Sequence, residues 1–91
     1  MRSLTADELR AIFRALADPR RFEILQNIAG GKCVACSDLR ESFPVTPATI
    51  SHHLSELEAA GLIQTSRRGK FMDLTFRRDR WDAYLAELHK I

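Results

Sequence analysis

Between Leu62 and Phe76 the hydrophobic period of the chain switches from helical to extended, and then back again. Met72, Leu74 and Phe76 alternate with Phe71, Asp73 and Thr75, the pattern of a strand with one buried face. "LIQTS" precedes them across "RRGK", and Gly69 supplies the left-handed residue that a short hairpin loop needs. Everything else that is patterned repeats at helical spacing, so the expected class is mostly α with a small β-hairpin.

Most of the helices carry start or stop signals. Thr5 and Glu8 have capping-box spacing, Leu4 and Leu9 are placed as a hydrophobic staple, and Leu9, Ile12, Phe13 and Leu16 form one apolar stripe. Asp18 ahead of Pro19 starts a second helix: the carboxylate caps free N–H groups, and the proline sits where its missing N–H costs nothing. Phe22, Leu25 and Ile28 are expected on its buried side and Gly30-Gly31 at its end. Ser37 is the expected cap of a short helix, "DLRESF", that buries Leu39 and Phe43. Thr46 and Pro47 open the next helix after a short turn, and Gly61 closes it as a left-handed residue. A last helix begins near Asp79, with Trp81, Tyr84, Leu85 and Leu88 on one stripe. No repeat, low-complexity segment or linker divides the chain, which reads as one domain over residues 1–91.

At 91 residues the core is small, so a deep catalytic pocket is not expected, and a second subunit would relieve the shortage of buried surface. The formal charge of +2 identifies no partner by itself; where the cations cluster matters more. No apolar run approaches the roughly 18 residues of a membrane span. Met1-Arg2-Ser3 leads into a polar helix instead of a signal-peptide core, so a cytoplasmic protein without a membrane partner is expected. There is no phosphate-gripping glycine loop, nucleophile elbow or convergent acid–base pair, so neither enzymatic activity nor a cofactor is expected.

The order helix, helix, short helix, turn, helix, hairpin, helix is that of a winged helix-turn-helix module. The segments "ALADPRRFEILQNIA", "TPATISHHLSELEAAGLI" and "QTSRRGKFMDLTF" resemble the ArsR/SmtB family of small dimeric bacterial transcriptional repressors, over nearly the whole chain. The resemblance implies a helix-turn-helix at 37–61, a wing at 62–76, dimerisation helices at 1–17 and 79–91, and double-stranded DNA as partner.

The residues agree with that implication. On a helical wheel of about 100° per residue, Ile50, Leu54 and Leu57 share one side and anchor the helix to the core. Ala48, Thr49, Ser51, His52 and Ser55 lie on or beside the opposite arc, in the half that a recognition helix inserts into the major groove. Hydroxyls donate or accept at base edges, the Ala48 and Thr49 methyls can meet thymine methyls, and His52 can donate to a purine or a phosphate. Thr46 and Pro47 mark a helix N-terminus, whose free N–H groups favour a nearby phosphate. His53 lies nearer the Ile50 side and is expected to bond across the turn, reaching a phosphate from the groove edge. Glu56 and Glu58 are expected in solvent. Arg67, Arg68 and Lys70 surround Gly69 and suit phosphates or a minor groove, with Arg20 and Arg21 as weaker phosphate candidates. A polar helix face often meets only water, and a cationic hairpin tip is exposed by default. Their adjacency is what favours DNA.

Leu9, Phe13 and Leu16 together with Trp81, Tyr84, Leu85 and Leu88 offer more apolar surface than one small core readily hides, so a homodimer interface is expected there. The competing reading packs them all inside one protomer. The effector is unknown. Many family members release DNA on binding metal, and a common site is Cys-Val-Cys-Asp-Leu; this chain has "CVACSDL" instead, with no third thiol, so that site does not transfer. Asp82, Glu87 and His89 are a poor substitute for a C-terminal zinc site. Cys33 and Cys36 are left as a reversible disulfide, a metal site shared between subunits, or inert thiols, and two cysteines make no multi-bridge secreted scaffold. A winged-helix protein-interaction module is the alternative function, and it would not need the cationic wing.

Overall fold

Thr5 starts the first helix in the way the capping-box spacing predicts. Its hydroxyl accepts from the Glu8 amide at 3.1 Å, and the Glu8 carboxylate accepts from the Thr5 amide at 2.9 Å. The computed structural model describes residues 3–91, so Met1 and Arg2, on which the expectation of no signal-peptide core began, lie outside it. Helix α1 spans Ala6–Leu16 and α2 spans Pro19–Ala29, the latter capped by Asp18, whose carboxylate accepts from the amides of Arg20 and Arg21. Those amides, that of Arg21 foremost, hold the Asp18 carboxyl below its usual range.

The buried face of α2 differs from the expected one. Arg21, Ile24, Leu25 and Ile28 face inward, and Phe22 is 37% exposed. The i, i+3, i+4, i+7 stripe is complete only if it begins on the arginine.

A third strand follows that the alternation did not reveal. β1, Val34–Ala35, pairs antiparallel with β3, Phe71–Phe76, with Val34 opposite Leu74 and Ala35 opposite Asp73. β2, Ile63–Arg68, pairs on the other side, so the sheet order is β1-β3-β2. Because the backbone is held extended through Ala35, helix α3 begins at once, as Cys36–Ser42. The expected Ser37 cap is thereby corrected: Ala35 occupies the cap position and no side chain caps the helix. Leu39 of α3 is fully buried and Phe43 is half-buried.

Helix α4, Pro47–Ala59, ends in a Schellman turn. The Leu62 amide donates to the Leu57 carbonyl at 3.0 Å and the Gly61 amide to the Glu58 carbonyl at 2.9 Å. Gly61 has φ 74°, a backbone conformation that favours glycine, and a Cβ there would also push the Arg80 guanidinium aside, 2.8 Å away. Gly69, with φ 65°, leads the two-residue loop between Arg68 and Phe71. Positive φ at the first loop position alone is the type II′ pattern.

Helix α5, Arg78–Leu88, closes the chain and returns to α1 through the Arg80–Glu8 ion pair at 3.3 Å. The core lies where α1, α2 and α4 meet the inner face of β3; Ile12, Ile24, Ile50, Leu57 and Leu74 are fully buried in it. The architecture is the expected winged helix-turn-helix of five helices, with β1 added beside the wing hairpin to make a three-stranded sheet. Among the described residues no helix is long and apolar enough to cross a membrane.

Candidate nucleic-acid interface

Thr46 sets the direction of α4. Its hydroxyl accepts from the Thr49 amide at 3.2 Å and donates to the Thr49 hydroxyl at 2.9 Å, and Pro47 occupies the first turn. With Ile50, Leu54 and Leu57 seated in the core, the opposite face looks outward: Thr46, Pro47, Ala48, Thr49, Ser51, His52 and Ser55 are all exposed.

His53 does not share that face. It is 5% exposed, and its Nδ1 accepts from Arg21 Nε at 3.2 Å. Nδ1 therefore carries a lone pair, and the ring is neutral with its proton on Nε2. The expectation that His53 reaches a phosphate is corrected, and so is the expectation for Arg21, which is 8% exposed. The Arg21 guanidinium also donates to the Arg14 and Ala15 carbonyls at 3.3 and 3.5 Å. One buried cation thus satisfies the open end of α1 and braces α4 from behind. Burial, ahead of the Arg21 charge and against the Asp18 carboxylate, holds the His53 pKa below its usual 6.5. Arg20 remains at the surface, paired with Glu23 at 3.2 Å and stacked over Phe43.

The far end of α4 is tied to the wing. Glu58 is exposed, as expected, and also accepts from the Thr65 hydroxyl at 2.6 Å and from the Thr65 amide at 3.3 Å. These exposed bonds tie the end of the helix to the hairpin. At the tip Arg67, Arg68 and Lys70 are all exposed, but they are not equivalent. Arg68 is paired with Asp73 at 3.2 Å, and its guanidinium and the Lys70 ammonium both lie over the Phe71 ring. A carboxylate already faces Arg68, so Arg67 and Lys70 carry the larger share of unbalanced charge.

A row of small hydroxyl and methyl groups with one imidazole, set beside a cationic loop, can meet base edges and phosphates together. A family model described as a helix-turn-helix domain matches residues 9–65. The transcriptional repressor SdpR of Bacillus subtilis is 39% identical over 61 residues, 67% of this chain and 67% of that protein. The arsenical resistance operon repressor of Staphylococcus xylosus is 40% identical over 62 residues, 68% of this chain and 59% of its own length. The ArsR-like transcriptional regulator from Rhodococcus sp. RHA1 is similar with a TM-score of 0.82 at 27% identity, over 92% of this chain and 78% of its own. The chain belongs to the ArsR family.

It is a DNA-binding transcriptional regulator. This ArsR protein treats its two cysteines differently: Cys33 is exposed and Cys36 is buried. Val34 and Ala35 between them are extended, which sets the two Cα atoms about 10 Å apart at about 3.3 Å per residue. A disulfide spans no more than about 7 Å, so the reversible bridge considered from the sequence cannot form while β1 is paired.

Proposed function

We propose that this ArsR protein is a sequence-specific repressor that acts by occupancy, without catalysis, in the cytoplasm. It binds a palindromic operator as a homodimer whose half-sites lie about 34–36 Å apart. The N-terminal half of α4 reads the major groove, and Arg67 and Lys70 of the wing lie along phosphates. The observation that carries this reading is the exposed face from Thr46 to Ser55, tied through Glu58 and Thr65 to a hairpin with a cationic tip. SdpR and the arsenical operon protein, both repressors by name, supply the direction of regulation.

The test selects bound fragments from genomic DNA and titrates the winner and a random duplex with salt. A His52→Ala variant is expected to lose about tenfold of its preference for the selected duplex while keeping the wild-type salt slope, because a base contact carries selectivity and a phosphate contact carries the slope. Salt-insensitive binding, or none, would point to a protein-interaction module instead.

The homodimer rests on the α1 and α5 surface. Phe13 is 52% and Leu88 41% exposed, with Leu9, Leu16, Trp81 and Leu85 half-buried beside them. Tyr84, expected in that interface, is buried in its own protomer and meets the Phe13 ring edge-on at 6.1 Å, so it supports the surface from beneath. Replacing Phe13 by Glu is expected to yield folded monomers in sedimentation equilibrium. A Phe13→Glu protein that stays dimeric would move the interface elsewhere.

A further inference from the structure

Between α3 and the wing lies a groove of about 200 Å³ whose α3 wall takes no part in the wing's phosphate contacts. Ser37 and Arg40 line one wall; Arg67, Arg68, Lys70 and Asp73 line the other. It is a constructed feature, because the pairing of Ala35 with Asp73 fixes the start of α3 against β3. Four cations face one carboxylate, and that carboxylate is committed to Arg68 at 3.2 Å. Among the described residues, no ion pair with a carboxylate engages Arg40, Arg67 or Lys70. Cations gathered in this way repel one another, and an anion between them removes the repulsion.

The position of the groove indicates which anion. In a helix-turn-helix the second helix enters the major groove while the first crosses the sugar–phosphate backbone. Here α3 is that first helix, and the groove runs along the flank that faces the wing.

We propose that this groove binds a backbone phosphate of duplex DNA, with Arg40 clamping it against Arg67 and Lys70, and with Asp73 as a built-in counter-charge that limits the affinity. The proposal rests on the DNA-binding reading and adds a contact from α3. The phosphate lies outside the bases read by α4, so the contact is indifferent to sequence.

The experiment measures duplex affinity against salt for the full chain and for exposed-site variants. Arg40→Gln is expected to reduce the logarithmic salt slope of the dimer by about 2 and the affinity at 0.15 M salt by roughly 30-fold, equally on selected and random duplexes. Arg10→Gln makes the same charge change at an exposed site on α1 and should leave the slope alone. Asp73→Asn should move in the opposite direction, binding more tightly with a steeper slope, a result that a misfolded variant cannot produce.

Wild-type slope in Arg40→Gln, or an equal loss in Arg10→Gln, overturns the proposal while leaving the DNA reading intact. A wild-type chain that binds no duplex overturns both. As a further arm, inorganic phosphate is titrated at constant ionic strength into labelled protein. Amide shifts confined to Ser37 and Arg40, with Arg40→Gln unchanged toward DNA, would assign the groove to a small free anion and reject the duplex.

Discussion

Replacing Arg67, Arg68 and Lys70 together by Gln is expected to lower duplex affinity by on the order of 10³-fold at 0.15 M salt. Each neutralised phosphate contact reduces the salt slope by about 0.9, and a dimer carries every contact twice. If all three cations met phosphates, the slope would fall by about 5 and the loss would exceed 10⁴-fold. The structure favours the smaller figure because Arg68 is held by Asp73, and its removal exposes that carboxylate instead of vacating a phosphate. A slope decrease near 4, read by fluorescence anisotropy between 0.1 and 0.4 M salt, is the expected result. A triple variant with wild-type affinity would remove the wing from the interface.

The largest effect on stability is expected at Arg21. Replacing it by Met keeps an apolar stem in the core but leaves His53 Nδ1 and the Ala15 carbonyl without the donor that Arg21 supplies, and the Arg14 carbonyl with the Ala17 amide alone. Buried groups stripped of partners cost about 1–3 kcal/mol each, less where the chain relaxes, so a total of about 3 kcal/mol is expected. In a domain of this size that lowers the melting temperature by more than roughly 10 °C. Duplex affinity should fall as well, because the brace behind α4 is lost. The same contact predicts a pH dependence. The His53 pKa is lowered by folding, chiefly through burial, so the folded state favours the neutral ring. Its contribution is complete above the unfolded value of 6.5 and is lost as pH falls through the lower folded value. Asp18, also lowered, acts only below its ordinary 3.8, in a separate window. Denaturant melts should show a decline in stability beginning below pH 6.5 that His53→Gln, which retains an acceptor and does not titrate there, abolishes. A decline that persists in His53→Gln would assign it to another group.

Signals that act through neighbouring residues were legible in the chain. The Thr5 capping box, the Asp18-Pro19 and Thr46-Pro47 starts and the left-handed Gly61 and Gly69 all depend on residues a few positions apart, and each is present as read. Features that depend on distant partners were less visible. β1 is two residues long, too short for any period to show, and exists because β3 offers an unpaired edge. That pairing also displaced the expected start of α3. Its charge marks Arg21 as a surface cation, although its spacing to Ile24, Leu25 and Ile28 completes a buried helical stripe; its partners, His53 and the end of α1, arrive only on folding. On α4 the wheel separated the outward residues from Ile50, Leu54 and Leu57, and it placed His53 correctly toward the core side while leaving its partner unknown. The clasp from Glu58 to Thr65 could not be read at all, since nothing local distinguishes that glutamate from a solvated one.

That clasp bears on which operators the protein accepts. The clasp favours one separation of helix and hairpin, so a duplex whose grooves do not match it must either break those bonds or deform to reach both. The elastic energy of that deformation depends on base steps that no side chain touches, and pliable pyrimidine–purine steps would lower it where stiff adenine tracts raise it.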